Sequence, residues 1–176
     1  MKNLMNIALL VSGMIASTSL KAQDTEDKSK RPSPPAQVTQ KIGSGATITI
    51  DYSQPSVKGR TIGKDLEPMQ GQVWRTGANE ATVFATDKDL TIDGKTLPAG
   101  KYGFFTIFNG EDATVIFNKT SKQWGAFKYN EADDALRVKA SVATASSPAE
   151  KMTFAISPDG KVDLMWGDKK MEFAVK

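Results

Sequence analysis

Met152-Thr153-Phe154-Ala155-Ile156-Ser157-Pro158-Asp159-Gly160-Lys161-Val162-Asp163-Leu164-Met165-Trp166 decides the fold class. Met152, Phe154 and Ile156 alternate with Thr153, Ala155 and Ser157, and the alternation resumes at Val162, Leu164 and Trp166. A period of two gives each strand one apolar face. Asp159-Gly160 between them is a pairing favoured in tight hairpin turns, where the backbone must enter the left-handed region. Gly167-Asp168-Lys169-Lys170 reads as a second turn, and Met171, Phe173 and Val175 as a closing strand. The expected C-terminal third is therefore a three-strand antiparallel meander with one face on the core.

The same grammar recurs upstream. Ile48, Ile50 and Tyr52 alternate with Thr47, Thr49 and Asp51, and Asp93-Gly94 and Asn109-Gly110 mark further turns. Leu136, Val138, Ala140 and Val142 alternate with Arg137, Lys139 and Ser141, and only residues 131–136 hint at a helical turn. Many short strands at this spacing predict an all-β fold, an antiparallel β-sandwich that is jelly-roll-like. Phe104-Phe105 makes the strand at residues 102–108 apolar on both faces. A central strand whose outer face is covered by a loop is the first reading, and the lining of a concave site is the second.

The N-terminal residues read as an export signal. Lys2 is followed by an apolar run at residues 7–15 and by small residues up to Ala22. The run is too short to span a bilayer, so cleavage before Gln23 is expected, giving a periplasmic or secreted bacterial protein. The chain has no Cys, so there is no lipid-attachment site after the signal, and no membrane anchor is expected. Loss of Lys2 and Lys21 lowers the formal charge from +3 to +1, so the pI of about 9.0 does not argue for nucleic acid. Residues 23–37 hold no large apolar side chain and are expected to be a flexible Pro-rich, charged linker. Residues 38–176 then form a single domain, large enough to bury a core without disulfides.

Function is harder to read. The chain has no His and no Cys, which excludes Ser-His-Asp and Cys-His catalysis. It also leaves only oxygen ligands for a metal, and the acidic residues are too sparse for a calcium loop, so neither metal nor cofactor is expected. Lys58-Gly59-Arg60-Thr61-Ile62-Gly63-Lys64 is Gly-rich and basic, but it lacks the Gly-Lys-Ser/Thr ending of a phosphate loop and no parallel βα unit surrounds it. The connection it belongs to, residues 54–72, is long for a compact domain and is a site candidate on that ground.

The densest polar segment is Val73-Trp74-Arg75-Thr76-Gly77-Ala78-Asn79-Glu80-Ala81-Thr82. Arg75 is suited to a carboxylate or a sugar hydroxyl through its planar fork. Asn79 offers a donor and an acceptor, and Glu80 an acceptor or an acid/base group. The structural alternative is that Arg75 pairs with Glu80 while Gly77 and Asn79 shape the turn. Trp124-Gly125-Ala126-Phe127 is either a sugar-binding platform or a plug for the open end of the sandwich. Arg137 either pairs with Asp133 or Asp134 or shares a cleft with Arg75.

Several segments resemble a known family. Tyr52-Ser53-Gln54-Pro55-Ser56-Val57-Lys58-Gly59-Arg60, the segment from Val73 to Thr82, Leu97-Pro98-Ala99-Gly100-Lys101-Tyr102, Asn118-Lys119 and Gln123-Trp124-Gly125-Ala126-Phe127 are similar to the domain-of-unknown-function family numbered 2911. The resemblance runs from about Gln40 to Val175. It implies a small exported bacterial β protein and no particular activity. Members often show a Trp where this chain has Ala113.

The sequence is best explained by a binding module for a small polar or glycan ligand of the cell envelope, with Arg75, Asn79, Glu80, Trp124 and Arg137 lining its cleft. The alternatives are a hydrolase that uses Glu80 with Asp51 or Asp134, and a structural envelope protein with no small-molecule site. A binding protein is preferred to an enzyme.

Overall fold

The computed structural model describes residues 27–176. The apolar run at residues 7–15 and the cleavage expected after Ala22 lie outside them. Among the described residues no helix is long and apolar enough to cross a membrane.

Among the described residues, nine strands follow one short 3-10 turn, Lys28–Lys30. They are β1 (Pro35–Lys41), β2 (Thr47–Ser53), β3 (Thr82–Thr86), β4 (Leu90–Ile92), β5 (Lys95–Leu97), β6 (Gly100–Asn109), β7 (Asp112–Asn118), β8 (Asp134–Ile156) and β9 (Lys161–Ala174). A second 3-10 turn, Glu131–Asp133, leads into β8. Seven strands form one antiparallel sheet in the order β1-β2-β3-β6-β7-β8-β9, and β4 and β5 form a separate hairpin.

The large sheet curls on itself as a sandwich does. The far half of β8 lies beside the chain leaving β2, with Met152 N donating to Pro55 O at 3.0 Å and Val57 N to Glu150 O at 2.8 Å. The inward residues are those of the alternation: Ile48, Ile50, Phe84, Phe104, Phe117, Met152, Val162 and Leu164 are buried. Aromatic edges join the facing layers, with Tyr52 and Phe154 ring centroids 5.0 Å apart and Phe104 and Phe154 5.8 Å apart. The β4–β5 hairpin closes one end with Leu90, Ile92 and Leu97, and Thr91 exchanges two backbone hydrogen bonds with Lys176.

Central strand β6 has two buried faces, as Phe104-Phe105 predicts. Phe104 enters the main core, while Phe105 joins Ala81 and Ile116 in a second cluster. Ala126 and Tyr129, from the loop at residues 119–130, pack over that cluster.

Two expectations need correction. The turn expected at Gly167-Asp168-Lys169-Lys170 is a bulge inside continuous β9, and residues 143–151 join two expected strands into one long β8. Register shifts fall between Thr144 and Ala149 and between Ala149 and Thr153. The inward residues of β9 change parity between Trp166 and Met171, so one residue must leave the pleat. Gly167 does so at φ 57°, and its missing side chain makes room for Ile62, which a β-carbon there would strike. Pro148 is tolerated because it sits at the irregularity of β8.

The second correction concerns residues 23–37, expected as a flexible linker. Residues 23–26 lie outside the description. From Asp27 on, the chain is laid against the sheet, and Pro35, Ala36 and Gln37 already pair with Ser53, Tyr52 and Asp51. Composition gave little apolar reason for order; polar contacts of Lys28, Arg31 and Ser33 hold the start of this strap, and Ala36 packs against the core.

Candidate functional site

The segment from Trp74 to Thr82 is a tight loop that pairs with β6 at Thr106 and leads into β3. Trp74 exchanges backbone hydrogen bonds with Thr106 at 2.8 and 2.9 Å, and its Nε1 donates to Gly77 O at 3.1 Å. Thr76 is buried, its hydroxyl 3.0 Å from that of Thr106, and Thr82 Oγ1 donates to Thr76 O at 2.8 Å. These bonds hold Thr76 at φ 52° and follow through to Asn79 at φ 57°. Positive φ is costly for a β-branched residue, and such strain concentrates where a loop must present a side chain in a fixed direction.

What the loop presents is Arg75. Its side chain lines a cleft of about 350 Å³ together with Trp74, Trp166, Arg60, Asp65 and Glu67. Nε of Arg75 is buried and has no hydrogen-bond partner. Burial pulls the guanidinium below its ordinary pKa, and the field of Glu67 offsets part of that. Glu67 is itself engaged, its Oε2 accepting from Met69 N at 2.7 Å and its carbonyl from Trp166 Nε1 at 2.8 Å. Both tryptophans thus use their N–H groups on backbone and offer the cleft apolar walls. Arg60 reaches back to Ser56 O and Val57 O at 2.8 and 3.1 Å, and it also borders a neighbouring cavity of about 430 Å³ with Ile62, Glu150 and Lys169. The long loop at residues 54–72, a site candidate by length, supplies a wall to both.

Glu80 points elsewhere and does not pair with Arg75. Its carboxylate accepts from Lys28 Nζ and Arg31 Nη1, each at 2.8 Å. Burial pushes its pKa up, but the hydrogen bonds from Lys28, its own backbone and Arg31 outweigh this and hold it below the usual range. A carboxylate held ionised in this way is a poor proton donor at neutral pH. Asn79 also binds the strap, its Nδ2 donating to Ser33 O at 3.0 Å. Trp124 bridges to Glu80 through backbone and receives the Arg31 guanidinium 5.7 Å above its ring. Asp51 and Glu80 border one small cavity beneath the strap, of about 170 Å³.

Arg137 belongs to a third place. Its Nε donates to Asp134 Oδ2 at 2.6 Å, its Nη2 donates to Tyr129 OH at 2.5 Å, and Glu131 lies 3.2 Å away. Tyr129 OH donates to Asp134 at 2.7 Å, and Asn118 Nδ2 donates to the same carboxylate at 2.8 Å. This network ties the 119–130 loop to β8, and of the two readings for Arg137 the structure takes pairing with Asp134. The five candidate residues therefore do not converge on one cleft. Arg75 has its own, Asn79, Glu80 and Trp124 receive the strap, and Arg137 secures a loop. Among the described residues no group of three or more acidic side chains is placed to hold a metal ion.

A small antiparallel β domain with one strained loop aiming an arginine into a tryptophan-walled cleft is the class that fold and site define. Residues 33–175 match the model of a family described as protein of unknown function, DUF2911, and the chain belongs to that family. No curated protein and no solved structure is detectably similar to it.

Proposed function

We propose that the protein binds a small polar ligand carrying a carboxylate, such as an acidic sugar of the cell envelope, in the Arg75 cleft. The observation that supports this reading is the buried Arg75 Nε with no partner. A buried donor without an acceptor costs free energy, more so on a charged group. A carboxylate would supply the acceptor in the fork geometry that guanidinium favours. Trp74 and Trp166 would pack against the ring or chain that carries it. Asn79, Glu80, Trp124 and Arg137 are not part of this site, because each is engaged elsewhere.

A thermal-shift titration of the full chain with glucuronate, against glucose as the neutral control, tests the reading. A ligand at 100 times its Kd stabilises the native state by about 2.7 kcal/mol, a shift of several degrees for a domain of this size. Glucuronate is expected to raise the Tm of the native chain and not that of Arg75→Met. Equal shifts for the two proteins, or none across a panel of uronic and other sugar acids, would sink the proposal.

A further inference from the structure

The loop at residues 119–130 carries two aromatic side chains that the fold leaves largely exposed. It is pinned along its length: Ala81 N donates to Gln123 O, Gly125 N to Asn79 O, both at 2.9 Å, and Tyr129 N to Ala126 O at 3.1 Å. Ala126 and Tyr129 turn inward onto Phe105 and Ile116. Phe127, between them, is 85 % exposed, and Trp124 is 55 % exposed. Among the described residues these are the exposed large hydrophobics. A loop held this firmly cannot fold them away, so water bears their apolar surface unless a partner takes it.

The loop's own charge is of one sign. Lys119, Lys122 and Lys128 are exposed, and residues 119–130 contain no Asp or Glu. On the side where Arg31 covers Trp124, the strap's exposed Lys28 and Lys30 are paired with Glu80 and Asp27, so among the described residues the unpaired charge is that of the loop's own lysines. Of the acids nearby, Glu80 is matched by Lys28 and Arg31, Glu131 by Arg137 and Asp27 by Lys30, while Asp133 lies where the loop begins, its carbonyl accepting from Lys119 N. The loop lines neither the Arg75 cleft nor the cavity at Ile62.

We infer that this loop is a docking surface for an anionic lipid bilayer. Aromatic rings at a projecting tip enter the interface between headgroups and acyl chains, where their polar and apolar parts are both accommodated. Lysine stems lie along that apolar layer while their amines stay among the phosphates. Binding of this kind is peripheral and reversible, and it needs no spanning segment or covalent lipid. It would hold the Arg75 cleft close to envelope ligands, but it does not depend on the cleft binding anything.

Tryptophan fluorescence reads the proposal directly. Trp74 and Trp166 are buried, so quenching by lipids brominated in their acyl chains reports Trp124. The full chain is mixed with vesicles of phosphatidylcholine containing about one third phosphatidylglycerol, a proportion that gives a strongly negative surface. Quenching is expected with these vesicles and not with phosphatidylcholine alone. Phe127→Ser should weaken partitioning about tenfold or more through lost burial, and Lys122→Glu roughly fivefold or more through charge. Phe127→Leu should keep most of the binding. Each variant retains residues 1–26, so differences among them report the loop and not the apolar run at residues 7–15. Phe127 is exposed, so an unchanged Tm will verify that its variants are folded. No quenching by anionic vesicles overturns the inference, and so does quenching that Phe127→Ser and Lys122→Glu leave unaltered.

Discussion

Arg31 and Glu80 make the contact that fastens the N-terminal strap to the sheet, Nη1 to Oε2 at 2.8 Å. Lys28 takes the other carboxylate oxygen, and Asn79 holds Ser33 one step further along. Ahead of the β1 ladder, the strap's side-chain fastenings thus include one carboxylate and one amide. Both belong to the strained loop that also carries Arg75.

Glu80→Gln should loosen the strap while leaving the sheet intact. The side chain of Glu80 is 37 % exposed, so solvent screening limits the two ion pairs together to about 1 kcal/mol, roughly a fivefold change in opening. Cleavage by trypsin after Lys28 and Lys30 should accelerate by about that factor, with little change in Tm; the bond after Arg31 precedes Pro32 and resists trypsin. The same contact predicts a pH dependence. The folded pKa lies below the ordinary value of 4.5, so the stabilisation is complete above 4.5 and is lost as pH falls through the lower, folded value. Trp124 emission, which senses Arg31, should follow that transition in the native protein and not in Glu80→Gln.

Asp134→Asn should destabilise the domain by about 2 kcal/mol in denaturant unfolding, less than the loss of a fully buried partner because Arg137 is 33 % exposed. The Asp134 side chain is 8 % exposed and accepts from Arg137, Tyr129 and Asn118, so the amide leaves donors facing a donor. Burial and the Asp134 hydrogen bond push the Tyr129 phenol up to about 12. An ultraviolet titration should show this value fall toward 10 in the variant. In the native chain the raised pKa means that stability is full below the ordinary tyrosine value of 10 and declines as pH rises through about 12. An unaltered phenol titration in Asp134→Asn would contradict the network.

What the sequence disclosed follows from which forces are local. Met152, Phe154, Ile156, Val162, Leu164 and Trp166 announce their strands because alternation is a property of the chain alone, and all six are buried. Residues 143–151 are small, polar or charged and carry no alternation, so their place in β8 depends on Gly167, Lys169 and Lys170 across the ladder. Gly167-Asp168-Lys169-Lys170 has turn composition, yet pairing keeps it in the strand. At the site, Arg75, Asn79 and Glu80 were visible as a polar cluster. Their separation was not, because it is set by positive φ at Thr76, a residue type that gives no hint of it, stabilised by Thr106 and Thr82. Trp166, Glu67 and Arg60 reach the cleft from distant segments, and only the length of the 54–72 connection pointed to two of them.

Gly160→Ala should cost about 3 kcal/mol, among the larger effects of a single substitution. Gly160 occupies φ 89° in the β8–β9 turn, and a β-carbon there would collide with the carbonyl oxygen of Val175. Val175 cannot retreat easily, because its N–H donates to Gly160 O at 2.8 Å and its neighbour Lys176 is paired with Thr91. Asp159→Ala, which removes an exposed contact with Ser157 and no packing, should cost far less. Similar Tm losses for the two variants would refute this account of the turn.

Processing of the chain is expected to remove residues 1–22. Intact-mass measurement of the protein recovered from the medium or the periplasm of an expressing bacterium should give a chain beginning at Gln23. Recovery of the full-length chain from the cytosol alone would refute export.

Arg75→Met separates binding from folding. If Arg75 serves the scaffold, its loss should destabilise the domain as removal of a packed, paired arginine does. If it serves a ligand, the empty protein carries a half-buried charge whose Nε has no partner, and replacing it with an apolar side chain of similar length should stabilise the ligand-free domain by about 1 kcal/mol. Met is preferred to Ala because it keeps contact with Trp74 and Trp166 and opens no cavity. Arg75→Lys should sit between the two, since an ammonium keeps the charge but loses the fork. The expected order of ligand-free stability in urea is therefore Met above Lys, and Lys at or above the native chain. The order of response to glucuronate is the reverse, native above Lys above Met. A native chain more stable than both variants without ligand would assign Arg75 to the scaffold.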